Sequence, residues 1–223
     1  MLKLDNVCYR YKRSTNNVLK NVTAQMDAGK LSAIVGPSGS GKTTLLSIMA
    51  GMDKPTEGAV FIGDENLTRM DLDRYRRERV SMVFQAFQLF PLLTAIENVC
   101  YPMEMMGTNP AQAIARADDL LAAVGIDEAK SKRFPSNLSG GEQQRVAIAR
   151  ALSSGAKVIL ADEPTGNLDT ANGNAVIEIL QRLAHERGYC VIIVTHNPEI
   201  AEAADQVFKM KDGILTMKGQ TSA

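Results

Sequence analysis

Residues 36–44 read Gly36-Pro-Ser-Gly-Ser-Gly-Lys-Thr-Thr44, and the fold turns on them. They follow Leu31-Ser-Ala-Ile-Val35, an apolar run of strand length, and lead into Leu45-Leu-Ser-Ile-Met49, which reads as a helix. Gly36, Gly39 and Gly41 let the backbone turn tightly, so that several N–H groups converge on one concavity at a helix N-terminus. Such a nest, with the helix dipole behind it, favours anionic oxygens. Lys42 adds a point charge for terminal phosphates, and the Thr43 hydroxyl is an oxygen ligand of the kind Mg2+ takes. The spacing G-x-x-x-x-G-K-T is met without a mismatch. A turn that binds nothing would not combine strand, loop, Lys and hydroxyl in this order, so the stretch predicts nucleotide binding and nothing narrower.

Outward from the loop, the composition sets limits. A chain of 223 residues with 45% hydrophobic content can bury a real core and is expected to form one domain with lobes. Lys and Arg number 25, as do Asp and Glu, a balance that argues against a nucleic-acid partner. Cys8, Cys100 and Cys190 lie far apart and suggest neither a zinc site nor a disulfide framework, which fits a reducing, cytoplasmic setting. The N-terminus lacks the apolar region of a signal peptide, and Val191-Ile-Ile-Val194 is typical of the longest apolar runs. A membrane span needs roughly 20 apolar residues, so work at a membrane would require another chain to cross it.

Before the loop, Leu2 to Val7 and Val18 to Met26 read as half-buried strands, with Tyr11 between them either packing on a small sheet or offering its ring to a purine. After it come a strand at Ala59–Ile62 and a helix capped by Asp71 whose arginines read as a solvated face rather than a phosphate patch. Val80 to Phe84 is strand-like and ends at Gln85, whose amide can reach a metal or an attacking water or can be an ordinary strand-end glutamine. Phe87, Leu89 and Phe90 then crowd an apparent loop, either seating a helical lobe or forming a docking surface. From Ile96 to about Ser153 the pattern is helical, with Asn109-Pro110 as a start, Gly125 as a stop, and Ile114, Ala117, Leu121 and Val124 on one apolar face. Leu138-Ser-Gly-Gly-Glu-Gln143 opens a further helix and repeats the physics of the first loop, a second anion site.

Lys157 to Glu163 is an apolar strand tipped by two acids, at the sheet edge where α/β proteins bind ligands. Because side chains alternate along a strand, Asp162 and Glu163 are expected to do different work, Asp162 on the metal's water shell and Glu163 polarising an attacking water. Thr170 to Arg187 reads as an amphipathic helix ended by Gly188, and Tyr189 to Thr195 as a buried strand tipped by His196, placed where a γ-phosphate can be. His185 is given only a solvated or dipole-compensating role. Gln206–Met210 and Ile214–Met217, around Asp212-Gly213, make a closing hairpin.

Taken together these segments resemble, over essentially the whole chain, the ATP-binding subunit of an ABC transporter. Tyr11 looks like the A-loop aromatic, Gly36 to Thr43 the Walker A motif, and Gln85 the Q-loop glutamine. Leu138 to Gln143 resembles the signature motif, Val158 to Glu163 the Walker B strand, Asn167-Leu-Asp169 the D-loop, and His196 the switch histidine. The resemblance implies a P-loop NTPase (RecA-like) α/β core with an N-terminal antiparallel β-subdomain, at about 1–87 and 154–223, and an inserted α-helical signature subdomain at about 88–153. It implies ATP and Mg2+ as cofactors, with nucleotide contacts from Tyr11, Gly36, Pro37, Ser38, Gly39, Ser40, Gly41, Lys42, Thr43 and Thr44. Thr43, Gln85 and Asp162 become the metal contacts, and Glu163, His196, Lys42 and Gln85 the catalytic set. Ser139, Gly140, Gly141 and Glu142 are expected to act in trans, from a second copy in a head-to-tail dimer. Phe87, Leu89 and Phe90 fall where the family's membrane subunits dock, placing the chain on the cytoplasmic face of a membrane. Met82 to Val99 and Ala161 to Asp169 look like the macrolide-efflux, lipoprotein-release and antimicrobial-peptide resistance branch, which also holds a cell-division ATPase that drives a regulatory partner without transport. A DNA- or ribosome-acting ATPase of the same class fits poorly, since no heptad pattern runs between Lys42 and Ser139.

Overall fold

The computed structural model of the chain describes residues 1–12 and 14–218. From the N-terminus the chain forms β1 (Leu2–Tyr9) and β2 (Leu19–Met26), crosses to β3 (Leu31–Val35), and turns through the glycine-rich loop into α1 (Lys42–Met49). It continues through β4 (Glu57–Ile62), β5 (Glu65–Asn66), α2 (Leu72–Glu78) and β6 (Val80–Phe84). Four helices follow, α3 (Ala95–Met105), α4 (Pro110–Ala123), α5 (Glu128–Ser131) and α6 (Gly140–Ser153). The chain closes with β7 (Val158–Asp162), α7 (Thr170–Arg187), β8 (Cys190–Thr195), α8 (Pro198–Glu202), β9 (Gln206–Lys211) and β10 (Ile214–Met217).

These strands divide into two sheets. The first, ordered β2-β1-β4-β5, is antiparallel, and its alternation shows in β1, where Leu2, Leu4 and Val7 are buried while Lys3 is exposed. The second, ordered β10-β9-β3-β8-β7-β6, is parallel except for β10 at its edge. Parallel strands are covered on both faces and so read as continuous apolar runs. In β7, Val158 and Leu160 join one core with α1 and the antiparallel sheet, while Ile159 and Ala161 join another with α3, α4, α6 and α7. The period of two along one strand thus builds two cores and makes the parallel sheet the middle layer.

Helix boundaries follow their caps. Asp71 accepts from the Asp73 and Arg74 amides, Asn109 from Ala111, and Gly188 ends α7 in a left-handed conformation at φ +70°. Ile114 departs from expectation, being 48% exposed. The buried face of α4 runs Ala113, Ala117, Leu121, in steps of four, and Ile114 is rotated about 100° from it. Small alanines let α4 approach its neighbours, so the one large aliphatic residue of the helix's first half faces outward. Among the described residues no helix is long and apolar enough to cross a membrane.

Candidate nucleotide site

The C-terminal tips of β3, β7 and β8 converge on a cleft of about 640 Å³ lined by Val18, Ser38, Gly39, Gly41, Lys42, Thr43, Thr44, Asp162, Glu163, Val194 and His196. Small-molecule sites span about 300–1,000 Å³. The three loop glycines serve different needs. Gly39 and Gly41 are left-handed, at φ +77° and +106°, and Gly41 caps α1. Gly36 is not left-handed; a Cβ there would lie 2.1 Å from the Met210 carbonyl oxygen. That glycine therefore admits the backbone of β9, instead of the turning expected from the sequence. Lys42 Nζ donates to the Gly36 and Pro37 carbonyls at 2.8 and 3.0 Å, holding its charge over the loop. Ser40 Oγ is buried without a hydrogen-bond partner among the described residues. The Tyr11 hydroxyl lies 3.0 Å from Thr44 Oγ1, and its half-exposed ring meets the Tyr9 ring in a T-shaped pair with centroids 5.1 Å apart.

Asp162 ends β7, as expected, but Glu163 does not continue the strand. Its backbone is left-handed at φ +47°, and its N–H donates to the Val194 carbonyl at 2.9 Å. Strand alternation is therefore not what separates the two acids; a turn is. Glu163 Oε1 lies 2.8 Å from His196 Nδ1, and its Oε2 accepts from Thr195 Oγ1 at 3.2 Å. Burial pushes the Asp162 carboxyl above its ordinary range, and the Glu163 charge adds to this, while Lys42 pulls against both. A half-buried carboxylate beside another acid is relieved by a cation. With the Thr43 hydroxyl it supplies the hard oxygen donors that Mg2+ accepts, substrate phosphates completing such a shell.

Other predicted site residues lie outside this cleft. Gln85 Nε2 donates to Asn167 Oδ1 at 3.0 Å, and Asn167 Nδ2 returns a bond to the Gln85 carbonyl at 3.1 Å, so Gln85 is tied to the segment after β7. Ser139, Gly140, Gly141 and Glu142 open α6 and are not among the residues lining the cleft. Ser139 caps that helix in a reciprocal box, Glu142 Oε2 accepting from the Ser139 amide at 2.8 Å. This bond, and Lys130 beside it, hold the Glu142 carboxyl below its ordinary range. A Cβ on Gly141 would lie 2.2 Å from Asn172 Oδ1, so α6 begins against α7. His185 does more than expected: its Nε2 lies 2.8 Å from Asp205 Oδ2, which also accepts from the Leu31 amide.

The Phe87–Phe90 segment is held by residues that sequence reading passed over. Phe87 and Gln88 are both left-handed, and Arg150 from α6 donates to their carbonyls at 3.1 and 2.6 Å. Phe90 packs on Tyr101 at 4.8 Å, and Leu89 leans on the helical core. Fully buried Asn98 accepts from the Phe90 amide and donates to the carbonyls of Phe90, Leu93 and Thr94. An Asn or Arg inside a helix carries no signal of this kind on its own; only its burial marks it.

A parallel sheet with a phosphate-binding glycine loop after its central strand, and acids on a neighbouring strand tip, defines a P-loop nucleotide-binding protein. A family model described as ABC transporter matches residues 19–166, and the chain belongs to that family. It is 42% identical over 228 residues to the macrolide export ATP-binding/permease protein MacB of Bradyrhizobium diazoefficiens, covering all of this chain and 35% of that protein. The chain thus spans about a third of MacB. It is 38% identical to the ABC transporter ATP-binding protein YclH of Bacillus subtilis, over 98% of this chain and 96% of that one. The cassette MJ0796, solved as a post-hydrolysis dimer bound to ADP and Pi, superposes with a TM-score of 0.87 at 38% identity, over 99% of this chain and 100% of that chain. CbiO1 of Clostridium perfringens, part of the ABC transporter complex CbiONQ, gives 0.88 at 30% identity, over 96% and 86%. The chain is accordingly an ABC-type nucleotide-binding domain that hydrolyses ATP.

Proposed function

We propose that two copies of this chain pair head to tail, closing two ATP molecules between them, and pass that closure to a membrane permease. The observation that carries this reading is the separation of the two anion-attracting helix ends: α1 opens onto the cleft, while Ser139, Gly140, Gly141 and Glu142 at the start of α6 do not line it. A second copy can supply that end in trans. In each site Tyr11 stacks on the base, Gly36 to Thr44 cradle the phosphates, and Lys42 neutralises charge on the terminal ones. Thr43, Asp162 and Gln85 are the residues assigned to Mg2+, which supplies charge neutralisation on the phosphate oxygens when bound. Glu163 accepts a proton from the attacking water, and His196 steadies the charge that develops on the γ-phosphoryl oxygens. Gln85 links the metal side to the Asn167 turn.

The helical segment at about residues 88–153 forms the signature subdomain, with the remainder as the ATP-binding core. Phe87, Leu89 and Phe90 mark the docking place of the permease, which puts the chain on the cytoplasmic face of a membrane. The relatives' names favour an export-type partner, as in macrolide export, over the regulatory partner of the cell-division branch. The test is Glu163→Gln: ATP affinity should stay within a few fold while turnover falls at least about 100-fold, the range of losing a positioned general base. Hydrolysis at the unaltered rate would remove Glu163 from the role of base.

A further inference from the structure

Gln144, in the second turn of α6, is fully buried and has no part in the roles assigned above. Its Nε2 donates to the Pro164 carbonyl at 2.7 Å and, more weakly at 3.4 Å, to the Phe84 carbonyl. Its Oε1 has no partner among the described residues. Reversing the amide would point oxygen at two carbonyl oxygens, so the unpaired Oε1 is the smaller cost. The two accepting carbonyls flank the residues that matter for chemistry: Phe84 precedes Gln85, and Pro164 follows Glu163.

Glu163 is where this contact has leverage. A left-handed backbone is strained for an L-residue and persists only where its surroundings over-determine it. Three bonds do so here: Glu163 N–H to the Val194 carbonyl, Gly166 N–H to the Glu163 carbonyl, and Gln144 to the carbonyl of Pro164. Of the three, the last reaches in from α6, the helix whose first turn holds Ser139 to Glu142. We propose that Gln144 is a positioning residue that ties the signature helix to the Glu163 turn, so that the base is correctly placed only when α6 is correctly seated. The inference rests on Glu163 being the base, and its test separates the two.

Gln144→Met keeps the length of the side chain and removes the donor. With Gln144→Met, kcat should fall about 10-fold or more, with nucleotide Kd within about twofold and the thermal midpoint within about 4 °C of the unaltered chain. Gln144→Glu sets a buried carboxyl against two carbonyls, which raises its pKa. Once protonated it donates again, so its kcat relative to the unaltered chain should climb as pH falls from about 8 to about 6. Mere packing predicts an unimpaired Gln144→Met and no such climb. Unchanged kcat in Gln144→Met beside an inactive Glu163→Gln would overturn the proposal and leave the base intact, whereas an active Glu163→Gln would remove the base itself. Losses of Kd and stability in parallel with kcat would also overturn it. Hydrogen exchange on the unaltered chain covers the case in which neither variant folds: the Gly166 amide should be as protected as those of Val146 and Ala147, and exchange about 100-fold faster would contradict the tie.

Discussion

Asp162 shows how one residue can serve chemistry at the expense of the fold. Its carboxyl is pushed up by burial and by Glu163, so in the nucleotide-free chain its charge is a burden that grows as pH rises through the folded-state value. Asp162→Asn should therefore raise the thermal midpoint measured without nucleotide. The same change should abolish Mg2+-dependent turnover; a lower midpoint would mean that Lys42 more than compensates the acid. Asp162, Glu163 and His196 stood out in the sequence because each lies at or just past the end of an apolar run, although only Asp162 ends its strand. What was not legible is the left-handed turn at Glu163, since φ at a non-glycine there depends on the Val194 and Gln144 contacts that other elements bring in, beside the local bond from Gly166. Gly36 was likewise read correctly as necessary but for the wrong reason, because the carbonyl of Met210 that excludes a side chain there lies in β9.

Helix α6 and the Phe87–Thr94 segment carry information at the scale of elements. The Ser139–Glu142 box was implicit in a Ser followed by Glu at the third position, a pattern that caps a helix whatever else it does. The Glu142 carboxyl is held low, so its stabilisation is complete above its unfolded pKa and is lost as pH falls through the folded-state value. Glu142→Gln should keep the cap at neutral pH and flatten the acid limb of a stability–pH curve measured by denaturant melts; an unchanged limb would place the acid sensitivity elsewhere. Around Phe90, Asn98 makes four hydrogen bonds to the backbone, and those to the Phe90 amide and the Leu93 carbonyl satisfy groups for which the described residues offer no other partner. Unpaired buried groups cost about 1–3 kcal/mol each, so Asn98→Leu should lower the midpoint by at least about 4 °C and loosen the Phe87–Thr94 segment. Calorimetry showing no change would mean that the segment finds other partners. The periodicity of α4 announced the inward-facing Ala117, Leu121 and Val124 but not that Ile114 turns away from them. Ile114 faces outward because Ala113 and Ala117 give closer helix packing, a choice made between helices and not within one.

Across the whole molecule the sheet order explains why the glycine loop and the start of α6 lie apart in one chain. The parallel strands deliver the glycine loop, Asp162, Glu163 and His196 to a common edge, while α6 presents its first turn elsewhere. Both glycine-bearing helix starts were visible in the sequence. That they do not meet within one chain followed only from the family resemblance, not from the residues themselves, because it depends on how the helical layer packs on the sheet. The measurement that bears most directly on the reading is the mass of Glu163→Gln in solution, with and without ATP and Mg2+, by light scattering after gel filtration. The reading predicts a monomer without nucleotide and a dimer holding two ATP with it, and return to the monomer when Ser139 is also replaced by Phe to block the trans contact. Tight ATP binding by a species that stays at the mass of one chain would contradict it.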